Sequence, residues 1–352
     1  METFGGYRLY VGSYTAHPGD AGIYLVDVDP VRRACTVAQT NDETENSSFL
    51  LLSNGRLFAA NEQGDCARFS SFAIEDGGAL RLVDSFRAAG AGTCQIALDP
   101  TGARIYGANY ESGSIVGCRV RADGAFEPGF RPVAHRGSGV VAERQDGPHV
   151  HMVGFAPHAS SLLAVDLGID ALVSYAVLPD GSLEEASGFV LPVAAGEGPR
   201  MLAHHPVLPL TVLVTELGNR VVLFRREGAG LPSWRFLASH SVKPTGFSDG
   251  ECLAAHALFS PDGRYLYVSV RGPNEIRVFS VGQREALELR SRHSSGGSWP
   301  RHMALSDDGS MLAVANERSD EVVVFAIDRA SGALGDNVAR CSITRPSCVV
   351  WA

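Results

Sequence analysis

Apolar and polar positions alternate along this chain in short blocks. YRLYVGSYT at 7–15 is an apolar run closed by small polar residues, and a turn leads from it to a second run, GIYLVDVD at 22–29. The same order then recurs. RLFAANE, RIYGANY, LLAVDLG, TVLVTELG, LYVSVRG and LAVANE each end an apolar run on polar or charged residues, and a further run such as SIVGCRV, ALVSYAV, RVVLFRR, EIRVFSV or EVVVFAI follows. Runs of this length, rich in Val, Ile, Tyr and Phe, predict β-strands. The turns ahead of several of them, SNG, DPTG, SPDG and SDDG, all end on Gly, which tolerates positive φ, and DPTG and SPDG add Pro, which presets φ.

Marking the equivalent residue at the end of each run gives Ser13, Asn61, Asn109, Asp166, Glu216, Val270 and Asn316, spaced by 48, 48, 57, 50, 54 and 46 residues. The step from Asn316 round through the chain ends to Ser13 is 49, so the period closes on itself. Seven copies with about four short strands each predict an all-β, seven-bladed β-propeller of four-stranded antiparallel blades. It spans residues 1–352 as a single domain. RPSCVVWA at the C-terminus reads as the first strand of a repeat and YRLYVGSYT as the second, so both termini should complete one blade.

In such a blade the first strand starts on the face of the disc where the second strand ends, and both kinds of position converge on one mouth of the central channel. First-strand starts carry Cys94, His151, Arg200, Ala255 and Arg301, followed by Gln95, Met152, Met201, His256 and His302. Second-strand ends carry Asn61 with Glu62, Asn109 with Tyr110, Asp166, Glu216, Arg271, and Asn316 with Glu317. The three asparagines read as turn-bonding residues. The rest is richer in ionisable groups than a structural repeat needs, and its arginines, histidines and glutamate suit an anionic substrate and acid–base chemistry. Ion pairs between blades are the simpler use of the same residues. The hairpin within Asp146–Asp170 places His149, His151 and Asp166 together at one end. His149 and His151, two apart in extended chain, read as pointing the same way. That spacing would suit a metal, but no supporting cluster accompanies it, and no metal or other cofactor is expected. His204 and His205 should lie on the surface of the opposite face.

Composition narrows the partners. A net charge of −9 argues against a nucleic-acid binder. No apolar run approaches the ~20 residues that span a bilayer, so no membrane association is expected. The seven cysteines include no C-x-x-C pair and read as reduced thiols, and with no secretory signal pattern at the N-terminus the expected compartment is the cytoplasm.

The motifs together resemble the seven-bladed lactonase family, the 6-phosphogluconolactonases of propeller type, over essentially the whole chain. The matching stretches are VGSYT at 11–15, CQIALDPTG at 94–102, ANYESGSI at 108–115, GPHVHMVGF at 147–155, AVDLGID at 164–170, GPR at 198–200, ELGNRVVLF at 216–224, SPDGRYLYVSVRG at 260–272 and PRHMALSDDG at 300–309. Thr93, Met201, Val270 and Asn46-Ser47-Ser48 depart from the usual family residues. The resemblance implies hydrolysis of a small anionic sugar δ-lactone, 6-phosphogluconolactone foremost. The related fungal carboxy-muconate lactonising enzymes use a His, two Arg and a Glu, which by motif fall on His149, Arg200, Glu216 and Arg271. His151, Asp166, Arg301 and His302 would then bind substrate, with Arg301 and His302 on the phosphate. Lactonisation of a muconate-like acid and a non-catalytic binding propeller are the alternative functions.

Overall fold

Each apolar run forms a strand that pairs antiparallel with the next, and every fourth connection starts a new sheet. The computed structural model describes residues 6–17, 19–155, 157, 161–227, 233–282 and 285–352. Seven four-stranded sheets result. Blade 1 consists of Pro346–Trp351, Tyr7–Ser13, Ile23–Asp29 and Ala34–Asn41. Blade 2 is Ser47–Ser53, Arg56–Asn61, Ala67–Ile74 and Leu80–Ala88. Blade 3 is Thr93–Leu98, Arg104–Asn109, Ser114–Arg119 and the two-residue strand Val133–Ala134. Blade 4 is Val150–Phe155, Ser161–Asp166, Ala171–Val177 and Leu183–Pro192. Blade 5 is Pro199–His204, Leu210–Thr215, Arg220–Glu227 and Ser233–Ser241. Blade 6 is Leu253–Phe259, Tyr265–Arg271, Glu275–Val281 and Leu287–Ser294. Blade 7 is Pro300–Leu305, Met311–Asn316, Glu321–Asp328 and Ala333–Ser342.

The terminal strands close the ring in register, from Leu9 opposite Trp351 to Gly12 opposite Cys348. Seven apolar clusters hold the disc together, and each is shared by two neighbouring blades. Blades 5 and 6, for example, bury Val212, Val214 and Leu223 against Ala254, Leu266 and Val268. A lone blade would leave such a face in water, so stability comes from stacking blades. The turns between first and second strands set the register. In SPDG the Gly263 N–H donates to the Ser260 carbonyl at 2.8 Å with Gly263 at φ +74°, and SDDG repeats this with Gly309 on Ser306. Apart from Pro157, the corresponding turn of blade 4 lies outside the described residues.

The first strand of every blade carries a β-bulge near its start. The register slips at Ser47/Phe49, Thr93/Gln95, Val150/Met152, Pro199/Met201, Ala254/Ala257 and Pro300/His302, and opposite Gly12/Ser13 in blade 1. A bulge re-aims the extra side chain. Here the extra residues include Ser347, Ser48, Cys94, His151, Arg200, Ala255 and Arg301, one per blade, and all seven line a chamber of about 250 Å³ inside the channel. The next residue in the strand often serves the neighbouring blade. Cys348 Sγ, Gln95 Oε1, Met152 Sδ, Met201 Sδ and His302 Nδ1 accept the backbone N–H of Leu50, Val153, Leu202, Ala257 and Val349, at 2.8–3.3 Å. These N–H groups lie on an edge strand that faces the channel, and the neighbour's side chain gives them the partner a sheet would otherwise supply.

Among the described residues no helix is long and apolar enough to cross a membrane. Since closure of blade 1 completes the ring, deleting residues 346–352 removes Val349 and exposes Leu9 and Val11 together with their blade 7 partners. We expect the truncated chain to melt roughly 10 °C or more below the parent, or not to fold, by circular dichroism. An unchanged midpoint would refute the closure.

Candidate functional site

The chain folds so that the bulged first-strand starts and the residues just past the second strands meet at one face. Glu216 follows Leu210–Thr215 of blade 5 and is buried. Three guanidiniums converge on its carboxylate. Arg271 Nη2 approaches Oε2 at 2.7 Å, Arg200 Nε approaches the same oxygen at 3.2 Å, and Arg144 Nη2 donates to Oε1 at 2.7 Å. Burial alone would raise this carboxyl, but Arg271, Arg200 and Arg144 hold it well below the usual carboxylate range. Glu216 is therefore an anion at neutral pH.

Arg200 and Arg271 are both buried, from blades 5 and 6. Burial first, and then Arg271, push the Arg200 guanidinium down to about 9 despite Glu216, so it is still a cation at neutral pH. Its Nη1 donates to His151 Nε2 at 2.9 Å. Burial, with Arg200 next to it, holds the His151 imidazole well below its ordinary value, so this ring is neutral. Arg271 is braced by the Leu253 and Ala254 carbonyls and lies 5.3 Å from the Trp299 ring centroid.

Arg301 belongs to blade 7, next to the blade that carries Arg271. Its Nη2 donates to the Tyr14 hydroxyl at 2.6 Å, with Glu62 at 3.8 Å and Glu317 at 3.6 Å. His302 lies in the inner chamber against His256, ring centroids 4.0 Å apart. Burial, then Arg200 and Arg301, push His302 down to about 3. Held neutral, the His302 imidazole adds no positive charge to that of Arg301 in the chamber.

His149 is not among the residues that line the inner chamber. Its ring stacks on Tyr110 at 4.5 Å while His151 meets the same ring edge-on at 5.5 Å, so the two histidines straddle Tyr110 and share no point. The bulge between Val150 and Met152 breaks the alternation on which the expected common direction rested. His149 Nδ1 donates to the Tyr110 carbonyl at 2.8 Å, which leaves Nε2 to carry the lone pair, 3.3 Å from the exposed Asp146. Tyr110 in turn accepts from Arg144 at its hydroxyl, 3.2 Å, linking His149 to the Glu216 cage.

Asp166, expected among the substrate-binding residues, is fully enclosed and its oxygens are occupied. Oδ1 accepts the N–H groups of His149, Gly168 and Ile169, and Oδ2 pairs with His135 Nδ1 at 2.6 Å. It holds the loop that carries His149 and does not face the channel. Asn61 bonds the Glu45 carbonyl and Asn316 the Ser295 carbonyl, as read, whereas Asn109 bonds the side-chain hydroxyls of Thr93 and Ser114 in its own blade. His205 lies at the opposite face but is buried. Its Nε2 donates to the Gly263 carbonyl while Nδ1 accepts Val207 and Leu208 N–H, so it ties a turn to the next blade.

Sequence reading missed Arg144, which lies in the segment between Ala134 and Val150 that has no counterpart in other repeats. The 57-residue step from Asn109 to Asp166, the longest of the six, was its only trace. Outside the inner chamber opens a bowl of about 760 Å³, lined by Arg144, Glu216, Glu251, Arg271, Trp299, Arg301, Glu317 and Arg318 among others. Among the described residues no group of three or more His, Cys, Asp or Glu is placed to hold a metal ion.

Fold and site together define a closed propeller with a buried arginine–glutamate–histidine cage at one channel mouth. Residues 8–351 match the seven-bladed β-propeller lactonase family, and the chain belongs to it. It is 31% identical over 348 residues to the 6-phosphogluconolactonase of Bacillus subtilis (strain 168), covering 97% of each chain. Among solved structures, a periplasmic gluconolactonase of Pseudomonas aeruginosa superimposes with a TM-score of 0.91 at 29% identity over 98% of both chains. A Lactobacillus plantarum protein gives 0.90 at 28% identity over 99% of both.

The charge balance of the cage is testable through stability. Glu216→Gln leaves three guanidiniums without their counter-ion, two of them buried, a loss of about 3–5 kcal/mol. Because the Glu216 pKa is depressed in the fold, its contribution is complete above the ordinary carboxylate value of 4.5 and disappears as pH falls through the folded value. In urea titrations the gap between parent and variant should stay constant from pH 7 to about 5 and narrow below about 4.5. A gap that widens in acid would contradict the assignment.

Proposed function

We propose that this protein hydrolyses a sugar δ-lactone, with 6-phosphogluconolactone as the substrate and 6-phosphogluconate as the product. The observation that carries the reading is the cage: two buried guanidiniums, Arg271 at the wall of the open bowl and Arg200 in the inner chamber, held in fixed positions by the buried Glu216 carboxylate between them. Family membership and the named relatives support the lactone as the substrate class.

Opening a lactone requires a proton acceptor for the attacking water, positive charge where the carbonyl oxygen becomes an oxyanion, and a proton for the ring oxygen as it leaves. Arg271 and Arg200 suit the oxyanion because they are already desolvated and oriented, so little reorganisation accompanies the developing charge. Glu216, bound by three cations, is a weak base and serves to orient them. His149 is the better acceptor, since its Nδ1 is committed to a carbonyl and its Nε2 lone pair is available. Water loses its proton to Nε2 as its oxygen bonds the carbonyl carbon. The tetrahedral intermediate then collapses, the bond from that carbon to the ring oxygen breaks, and the imidazolium returns the proton to the leaving alkoxide. Asp146 Oδ1, 3.3 Å away, can accept the N–H formed at Nε2. His151, neutral and fixed by Arg200, would bind a substrate hydroxyl.

A phosphorylated lactone of this kind arises from oxidation of a sugar phosphate, as in the pentose phosphate pathway. The seven free cysteines support a cytoplasmic setting.

The test is lactone opening followed by acid release near neutral pH, corrected for the spontaneous reaction. We expect His149→Ala to lower kcat by about 10²–10⁴-fold. Arg271→Ala should lower kcat/KM on phosphorylated and unphosphorylated lactones by similar factors, since both contain the carbonyl. A parent protein no faster than buffer on either lactone would overturn the reading.

A further inference from the structure

The bowl is positively biased although the molecule is acidic. Four arginines and three glutamates line it, against a net charge of −9 for the whole chain. Three of those arginines are already matched, Arg144 and Arg271 by Glu216 and Arg301 by Glu62 and Glu317. Arg318 differs. It is exposed, and among the described residues no carboxylate lies within ion-pair distance of it. Its guanidinium carbon rests 3.3 Å from the centroid of the Trp299 ring.

Trp299 is itself in an unusual state. Its φ of +68° is rare for a bulky side chain. The conformation is held by its N–H on Asn274 Oδ1 at 2.8 Å and by its carbonyl on the Glu317 N–H at 3.1 Å. Backbone strain of this kind persists where the surroundings enforce it, and here it presents the indole to two guanidiniums, Arg318 and Arg271. Stacking removes much of the disorder of a long side chain while leaving the charge and the N–H donors of Arg318 available.

We propose that Arg318, laid on Trp299, recognises the phosphate of the substrate and sets the preference for a phosphorylated over an unphosphorylated lactone. This rests on the lactonase reading above. Both guanidiniums lie on one indole, Arg271 at 5.3 Å and Arg318 at 3.3 Å from its centroid, so their separation cannot exceed the sum of those distances. That limit is comparable to the reach of a six-carbon sugar phosphate from carbonyl oxygen to phosphate. A lactone whose carbonyl meets Arg271 can therefore place its phosphate within reach of Arg318, the arginine of the bowl that has no carboxylate at ion-pair distance among the described residues. Planar, multiply donating guanidinium is suited to phosphate oxygens.

The experiment compares parent, Arg318→Gln and Arg318→Lys on 6-phosphogluconolactone and on glucono-δ-lactone, with calorimetric titration of 6-phosphogluconate and gluconate alongside. Arg318→Gln should lower the ratio of kcat/KM for the phosphorylated over the unphosphorylated lactone by about ten-fold, chiefly through KM. It should weaken 6-phosphogluconate binding by a similar factor, and Arg318→Lys should recover part of both. An unchanged ratio, or a parent that binds 6-phosphogluconate no better than gluconate, overturns the inference. If neither lactone is turned over while 6-phosphogluconate still binds in an Arg318-dependent way, the hydrolytic reading falls and the phosphate subsite stands.

Discussion

Each innermost strand carries extra residue at its start beyond what its partner can pair, and that surplus is what the channel is made from. A strand in regular register would direct its side chains alternately to the two interblade faces, both apolar here. The bulge frees one residue from that alternation and turns it towards the axis. The cost is an interrupted ladder on a strand that is also a sheet edge, and the neighbouring blade offsets part of it with side-chain acceptors such as Gln95 and Met152. Assembly of the ring and placement of His151, Arg200 and Arg301 are thus one structural event.

Charge at the channel mouth is arranged as a network. Glu216 alone would be a buried anion and Arg200 and Arg271 buried cations, each strongly disfavoured. Together they hold one another in position at low net cost, and the excess of cation over anion faces the bowl. An acidic protein can in this way offer a local positive field to an anionic ligand.

Much of this was legible in the chain. The seven-fold period and its closure fixed the architecture, because strand endings recur at Ser13, Asn61, Asn109, Asp166, Glu216, Val270 and Asn316 whatever the side chain there. Aligning strand starts also recovered Cys94, His151, Arg200 and Arg301. What escaped depended on local conformation. Asp166 occupies a mouth position by alignment, but its bonds to His149, Gly168 and His135 turn it inward. Two-residue spacing predicted a common direction for His149 and His151, and a bulge between them removes it. Arg144 lies in an insertion outside the repeat. The left-handed backbone of Trp299, which puts its indole under Arg318, follows from bonds to Asn274 and Glu317 that no spacing encodes.

The ring of bulged residues also bears on how such a protein can change. Ser347, Ser48 and Ala255, the contributions of blades 1, 2 and 6, are small, so three of the seven places around the chamber hold no ionisable side chain. Each of the seven positions is held by its own strand and is free of the apolar packing between blades. A substitution at one of them alters what the channel can hold while the neighbouring sheets keep their contacts. Arg200, and through it His151, is tied to Glu216, and Arg301 to Glu62 and Glu317, so the positions free to vary in single steps without disturbing that charge network are the small ones, Ser48 and Ala255 foremost.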